Sequence, residues 1–272
     1  MYRTLIPVDE NENRALHQAK YVARLSDAEP DIEATVLHVV PPDDLERADS
    51  VSFGTVDAAV AAAEHLETAG ITVDRRVEEG DVAAAIIDAA DALDSHELVM
   101  GGRKRSGVAK VLLGSTVHDV FVSAERPVTI TGTGMVFGEG ERHVLVPVDQ
   151  GRERALNQAE FVAGLPGAAE NVRATVLYVF RHQDYAGAPP HEFEEIGAAV
   201  AAAEYLEERD IPVERTAVGG EIARKILDTA SDVDASSIVM GGRKRTGVQK
   251  VIMGSISQDV LLSSERPVTI TG

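Results

Sequence analysis

A glycine-rich, basic segment occurs twice in this chain and contains the residue types needed to bind an anion. It runs from Gly101 to Ser115 and again from Gly241 to Ser255. Glycines let backbone N–H groups approach an anion closely, and a Gly-Ser pair at a helix start adds the positive end of the helix dipole. Four basic residues contribute positive charge to the first segment, namely Arg103, Lys104, Arg105 and Lys110. We interpret the segments as phosphate-binding sites, the alternative being a solvated turn beside an ordinary helix cap.

Two aspartates, Asp9 and Asp149, each follow a short apolar run that is typical of a buried strand. A carboxylate at the end of such a strand could contact a ligand or a metal-bound water. It could equally serve as the N-cap of the helix that follows, and this alternative is compatible with the first. The residue type alone does not decide between the two.

Several classes of site are excluded because their motifs are missing from the sequence. There is no Gly-x4-Gly-Lys-Ser/Thr for a P-loop and no Gly-x-Ser-x-Gly for a nucleophile elbow. The chain has no cysteine, which removes disulfides, thiolate metal sites and cysteine nucleophiles. The eight histidines show no metal-ligand spacing, and His38 has Tyr178 at the matching place in the second half. We therefore expect no metal site, no catalytic residue and structural or surface roles for the histidines.

The sequence contains an internal duplication. Residues 1–132 align without a gap on residues 141–272, and 63 of the 132 aligned positions are identical. A repeat of this length indicates a duplicated domain and not a solenoid, whose period would be about 20–50 residues. We predict a first domain at 1–132, a glycine-rich linker at 133–140 and a second domain at 141–272, and we call the two aligned stretches the first and second copy.

Apolar periodicity predicts alternating strands and helices within each copy. In the first copy, strands are expected at 5–8, 34–40, 71–77, 97–100 and 127–131, with helices at 11–25, 56–69, 82–93 and from 115. Asp81 is predicted to N-cap the third helix, Gly70 to end the second, and the glycine-rich segment to form a loop. Such alternation indicates a doubly wound α/β sandwich, in which ligands bind beyond the carboxyl ends of the strands where the strand order reverses.

The composition is that of an acidic globular protein. The 272 residues carry a formal charge of −19, with 44% hydrophobic residues. This charge opposes broad nucleic-acid binding, and no apolar run approaches the ~20 residues that a membrane helix needs. The excess of carboxylates with few lysines indicates adaptation to high salt, as in a halophilic archaeon. We expect a soluble, cytoplasmic protein.

Taken together, these residues resemble the universal stress protein family, whose nucleotide site is marked by Gly-x2-Gly-x9-Gly-Ser/Thr. Both segments match the first and third glycines and the serine of this motif, and the resemblance extends over both copies. Other matches are the first-strand Pro7-Val8-Asp9, the second-strand Leu37-His38-Val39 and the terminal Arg126-Pro127-Val128-Thr129-Ile130. The resemblance implies two tandem flavodoxin-like (adenine nucleotide alpha hydrolase-like) domains, each a parallel five-stranded sheet of order 3-2-1-4-5, with ATP at the switch point.

The resemblance also implies the site residues. Aspartate would lie beside ribose and adenine, a valine backbone would meet the adenine edge, and the glycine-rich segment would hold ribose and phosphates. The implied nucleotide-binding set in the first copy is Pro7, Asp9, Val39, Gly101, Arg103, Lys104, Gly114, Ser115 and Thr116. In the second copy it is Pro147, Asp149, Val179, Gly241, Arg243, Lys244, Gly254, Ser255 and Ile256.

One position departs from the family motif in both copies, because Lys104 and Lys244 replace its second glycine. Each lysine could pair with a phosphate or could fill the space that the phosphates need. We therefore expect a stress-response protein that binds ATP, AMP or another adenine nucleotide, with or without Mg²⁺, and acts on an unidentified protein partner. The alternatives are a nucleotide-free interaction module and a slow ATPase.

The resemblance finally predicts how the copies associate. Separate chains of the family commonly pair through the last strand. Here the last strands at 128–131 and 268–271 are expected to pair within one molecule as an internal pseudo-dimer, which would also protect the sheet edges. Further homo-oligomerisation stays open.

Overall fold

A computed structural model describes residues 1–26, 31–43, 51–104, 111–112, 114–138, 140–181, 192–245, 248–252 and 254–272. For the strand residues within 103–112 and 243–252, the description covers the backbone only. The elements of the first copy are β1 Tyr2–Val8, α1 Glu12–Ser26, β2 Ile32–Val40, α2 Asp57–Thr68, β3 Thr72–Glu79, α3 Val82–Ala92, β4 Glu97–Lys104, β5 Val111–Leu112, α4 Ser115–Ser123 and β6 Val128–Gly132. Those of the second copy are β7 Arg142–Val148, α5 Arg152–Ala163, α6 Ala168–Asn171, β8 Val172–Phe180, α7 Gly197–Glu207, β9 Val213–Gly219, α8 Ile222–Asp232, β10 Ser237–Gly241, β11 Arg243–Arg245, β12 Val248–Ile252, α9 Ser255–Ser263 and β13 Val268–Thr271.

Ten strands, five from each copy, follow one another in a single sheet in the order β3-β2-β1-β4-β6-β13-β10-β7-β8-β9. Within each copy the neighbours in this order are parallel, and each half reproduces the predicted order 3-2-1-4-5 when β6 and β13 are taken as the fifth strands. The two fifth strands pair antiparallel, with Thr129 opposite Thr269. The last strands of the two copies therefore meet within one molecule, as the family resemblance implied.

Two apolar layers cover the faces of this sheet. Helices α1, α2, α5 and α7 pack on one face, and α3, α4, α8 and α9 pack on the other. The alanine-rich helix α2 buries Ala58, Ala59, Ala62 and Ala63, and their small side chains let the helix lie close to its neighbours. The predicted helix ends are also present. Asp81 caps α3 by accepting a hydrogen bond from the Ala84 N–H at 2.9 Å, and Gly70 follows α2 with a φ of +80°.

The prediction of a loop for the glycine-rich segment is wrong at both of its described ends. Strand β4 continues to Lys104 and pairs antiparallel with β5, while in the second copy β11 and β12 form a separate antiparallel pair. Gly101 and Gly102 still pair in register with Thr131 and Gly132 of β6. Backbone pairing with a neighbouring strand thus extends β4 through residues of low strand propensity. Residues 105–110, 113, 246–247 and 253 of the predicted segments lie outside the described residues.

A buried polar cluster lies at the seam between the copies, by which we mean the β6–β13 pairing and its surroundings. Glu97, at the start of β4, has no exposed surface and accepts hydrogen bonds from Tyr2 Oη at 3.0 Å, from Tyr21 Oη at 2.9 Å and from the Thr129 hydroxyl. The Thr129 and Thr269 hydroxyls lie 2.6 Å apart across the seam. Burial raises the pKa of the Glu97 carboxyl to about 7, although the three hydroxyl donors and Arg142 of the second copy act to lower it.

Candidate functional site

A cavity of about 640 Å³ opens at the carboxyl ends of β1, β2 and β4, where the strand order of the first copy reverses. Strands β1 and β4 pair only near their beginnings, at Thr4–Glu97 and Leu5–Leu98, so their far ends separate. The beginning of helix α4 also lines this cavity. This is where doubly wound sheets bind their ligands.

The structure brings most of the predicted first-copy residues together around this cavity. Those that line it are Pro7, Asp9, Val39, Gly101, Gly114, Ser115 and Thr116. Arg103 and Lys104 lie on the described backbone of β4, but their side chains lie outside the described residues, as do those of Arg243 and Lys244 on β11. The role of each residue in nucleotide binding stays a prediction.

In the second copy, the predicted residues occupy the matching positions on the fold. Pro147 and Asp149 lie at the end of β7, Val179 near the end of β8 and Gly241 at the end of β10. Gly254, Ser255 and Ile256 form the beginning of α9. The structure thus gives both copies the same arrangement of strand ends around a helix start.

The start of α4 is suited to binding an anion. Gly114 is its N-cap and has no side chain to accept hydrogen bonds from the first-turn N–H groups. These groups belong to Ser115, Thr116 and Val117, all of which line the cavity. The first turn of a nine-residue helix therefore presents backbone donors and the positive end of its dipole to this space.

Asp9 and Asp149 are not the N-caps of the following helices, so that alternative is wrong. In the first copy the cap is Asn11, whose Oδ1 accepts a hydrogen bond from the Arg14 N–H at 3.0 Å. In the second copy the N-cap is Gly151. Each aspartate instead accepts from the backbone N–H two residues later, at 2.9 Å in the first copy and 2.8 Å in the second.

Sequence reasoning missed an arginine and a glutamine that face each aspartate from the following helix. The Arg14 guanidinium donates to Asp9 Oδ2, and Arg154 holds both oxygens of Asp149 with contacts of 2.7 to 3.2 Å. Gln18 donates through Nε2 to the Pro7 carbonyl at 2.7 Å and the Val99 carbonyl at 2.8 Å. The sequence did contain a signal for these two residues, because Arg14 and Gln18 are identical to their counterparts in the second copy.

A buried glutamine donates hydrogen bonds to backbone carbonyls where the sheet splits. Gln18 is 2% exposed and bridges β1 and β4 at the point where they separate. Gln158 makes the same two contacts in the second copy, to the Pro147 carbonyl at 2.8 Å and the Val239 carbonyl at 2.7 Å. Each glutamine thus supplies the hydrogen bonds that the diverging strands cannot give each other.

The cavity wall on β2 differs between the copies. His38 is 9% exposed and its Nδ1 lies 3.1 Å from the Val8 carbonyl oxygen, in accordance with a structural role. Tyr178 replaces it in the second copy, where its ring packs edge-on against Phe180 with centroids 4.7 Å apart. The two copies therefore have different side chains beside the predicted adenine position.

Within the part of the chain that the structure describes, no group of three or more His, Asp or Glu side chains is arranged to hold a metal ion. Among the same residues, no helix combines the length and apolar character needed to cross a bilayer.

Comparison with known proteins identifies the family. The model of the family described as "Usp: Universal stress protein family" matches residues 1–132 and 141–272. The chain therefore belongs to the universal stress protein family, with two domains of this family in tandem.

Individual relatives agree with this assignment. A universal stress protein from Mycolicibacterium smegmatis is 29% identical over 216 residues, which cover 75% of this chain and 70% of the relative. For a universal stress protein of Mycobacterium bovis the match is 26% and spans 62% of the relative's length. The crystal structure of a universal stress protein from Archaeoglobus fulgidus superposes with a TM-score of 0.76 at 25% identity, covering 99% of this chain and 97% of the other. The flavodoxin-like fold inferred from the sequence is thereby confirmed.

Proposed function

We propose that this protein takes part in a stress response by binding an adenine nucleotide, ATP or AMP, at the cavity and at the matching place in the second copy. It acts through nucleotide-dependent regulation or partner binding and not through turnover. The observation that carries the proposal is the cavity of about 640 Å³ at the switch point, with an uncapped helix start on its wall. Small-molecule sites usually have volumes of about 300–1,000 Å³, so a nucleotide fits.

The lining suggests a role for each part of the cavity. The Val39 backbone would meet the adenine edge and Asp9 the ribose, while the first-turn N–H groups of α4 would receive the phosphates. Val82, Ile86 and other apolar residues line the space as well, which favours a ligand with an aromatic base. Where Mg²⁺ accompanies ATP, its main ligands would come from the phosphate oxygens of ATP and not from the protein.

Binding of ATP, AMP and cyclic AMP by calorimetry tests the proposal on wild type and on the Lys104→Gly/Lys244→Gly variant. Wild-type binding that weakens about tenfold or more in the variant would identify the lysines as phosphate ligands, because charge-assisted hydrogen bonds contribute about 1.5–3 kcal/mol. The two single variants are matched controls, since each leaves the other copy intact.

Two results, one from this calorimetry and one from an assay of phosphate release, would contradict the proposal. A wild type that binds nothing, together with a double variant that gains ATP, would mean that the lysines close the sites and that the protein is an interaction module. Phosphate release that is abolished by Asp9→Ala with Asp149→Ala would instead indicate a slow ATPase. The cytoplasmic location and the high-salt habitat stay predictions, so the assays include molar KCl as well as low salt.

A further inference from the structure

Each copy holds its predicted ribose-binding aspartate in an ion pair inside the site. Arg14 pairs with Asp9 and Arg154 pairs with Asp149, in both cases five residues later in the chain. In the first copy both partners line the cavity. The Arg14 side chain is 18% exposed and that of Asp9 is 50% exposed, so the pair faces the space that a ligand would enter.

The position of Arg14 is set by a close approach between α1 and β4. A Cβ built on Gly101 would lie 3.2 Å from Arg14 Cβ and 3.4 Å from Arg14 Cδ, so the arginine stem runs along the glycine. In the second copy, a Cβ on Gly241 would lie 3.1 Å from Arg154 Cβ. The guanidinium is thereby brought to the side of the cavity that β4 forms, and the start of α4 lies on the same cavity.

Holding the strands together does not require the arginine. Gln18 already bridges the carbonyls of Pro7 and Val99, and Asn11 caps α1. The described contact of the Arg14 guanidinium is with Asp9, and a partly exposed ion pair of this kind contributes little to stability. A ligand can therefore replace it at little cost in stability.

We propose that Arg14 and Arg154 are phosphate-binding residues that exchange partners when a nucleotide enters. The ribose hydroxyls would donate to the aspartate, as acidic residues do in other nucleotide sites, and so take the place of the arginine. The released guanidinium would then contact the phosphate nearest the ribose, for which its planar array of donors is well suited. This inference rests on the proposed function and adds a second group of phosphate donors to the cavity that the start of α4 also lines.

The exchange predicts that the arginine distinguishes a nucleotide from its nucleoside. We would measure binding of adenosine and AMP by calorimetry to wild type, Arg14→Gln, Arg154→Gln and the double variant. In the double variant, AMP affinity should fall by about 10- to 100-fold, the usual range for one lost charge-assisted hydrogen bond, while adenosine affinity changes less than about threefold. Arg14→Lys with Arg154→Lys should restore part of the AMP affinity, because the charge returns without the planar donors.

The control is Arg152→Gln, an exposed arginine at the start of α5 that should leave both affinities unchanged. Equal losses for adenosine and AMP would show that the arginines only position the aspartates, and unchanged affinities would show no role in binding. Either result overturns the inference while leaving the proposed function standing. A wild type that binds none of adenosine, AMP and ATP overturns both.

Discussion

At the scale of single residues, two glycines of the repeated motif have opposite surroundings. A Cβ on Gly101 would lie 3.0 Å from Gln18 Oε1 and 3.2 Å from Arg14 Cβ. Among the residues that the structure describes, a Cβ on Gly254 would meet nothing within 4 Å, and its φ of −71° suits any residue. Gly101 is therefore needed by the protein itself, whereas the space beside Gly254 is left open.

Alanine at these two positions should separate folding from binding. Gly101→Ala should lower the free energy of unfolding by about 1–3 kcal/mol because the added methyl forces α1 away from β4. Gly254→Ala should cost about 1 kcal/mol or less, the usual range at an N-cap, yet weaken nucleotide binding by the second copy. Urea unfolding and calorimetry measure the two effects, and equal destabilisation by both substitutions would contradict this interpretation.

At the scale of elements, helix α1 keeps the first-copy sheet intact where β1 and β4 separate. Gln18 is the residue through which it does so, because its amide hydrogens reach one carbonyl on each side of the split. Replacing this side chain leaves two carbonyls without their donor.

We predict that Gln18→Ala lowers the free energy of unfolding by about 1–3 kcal/mol, the cost of unpaired buried polar groups. The matched control is Asn13→Ala, an exposed position on the same helix, which should change stability by less than about 0.5 kcal/mol. Urea unfolding measures the free energy of unfolding of both variants. A Gln18 variant as stable as the control would mean that water from the cavity satisfies the carbonyls.

The strands and helices were largely predictable because buried faces impose their period on the sequence. The extension of β4 through Arg103 and Lys104 was not, since it depends on pairing with β5 and not on local propensity. In the site, Asp9, Gly114 and Ser115 stood out by motif, and the cavity gathers all three. In the sequence, Arg14 and Gln18 look like polar residues on a solvated helix face. Their contacts in the site exist only because β1 and β4 separate there.

At the scale of the whole molecule, the seam contains an acid that is uncharged over part of the physiological range. Burial raises the pKa of Glu97 from 4.5 to about 7, and its hydroxyl neighbours Tyr2 and Tyr21 have pKa values raised well above 10.0 for the same main reason. Because the pKa is higher in the folded chain than in the unfolded one, the folded chain binds the additional proton. The resulting stabilisation is complete below about pH 4.5 and is lost as the pH rises through 7.

We predict that Glu97→Gln flattens the dependence of stability on pH. Between pH 5 and 8, the free energy of unfolding of wild type should fall relative to the variant by roughly 2.5 kcal/mol, the part of the linkage at 1.36 kcal/mol per pKa unit that falls in this window. Urea unfolding at several pH values measures this difference. Glu64→Gln, an exposed position on α2, is the control for general charge effects and should run parallel to wild type. Parallel curves for Glu97→Gln as well would contradict the prediction.

The pairing of β6 with β13 has a consequence for how the seam can evolve. In a dimer of identical chains, any substitution appears on both sides of the symmetry axis. Joining the copies in one chain lifts this restriction, and the halves have since diverged: Glu97 corresponds to Ser237, Tyr2 to Arg142 and Tyr21 to Phe161. The molecule is in effect a heterodimer encoded by a single gene, whose two subunits are made in equal number and stay joined however far the cell dilutes them.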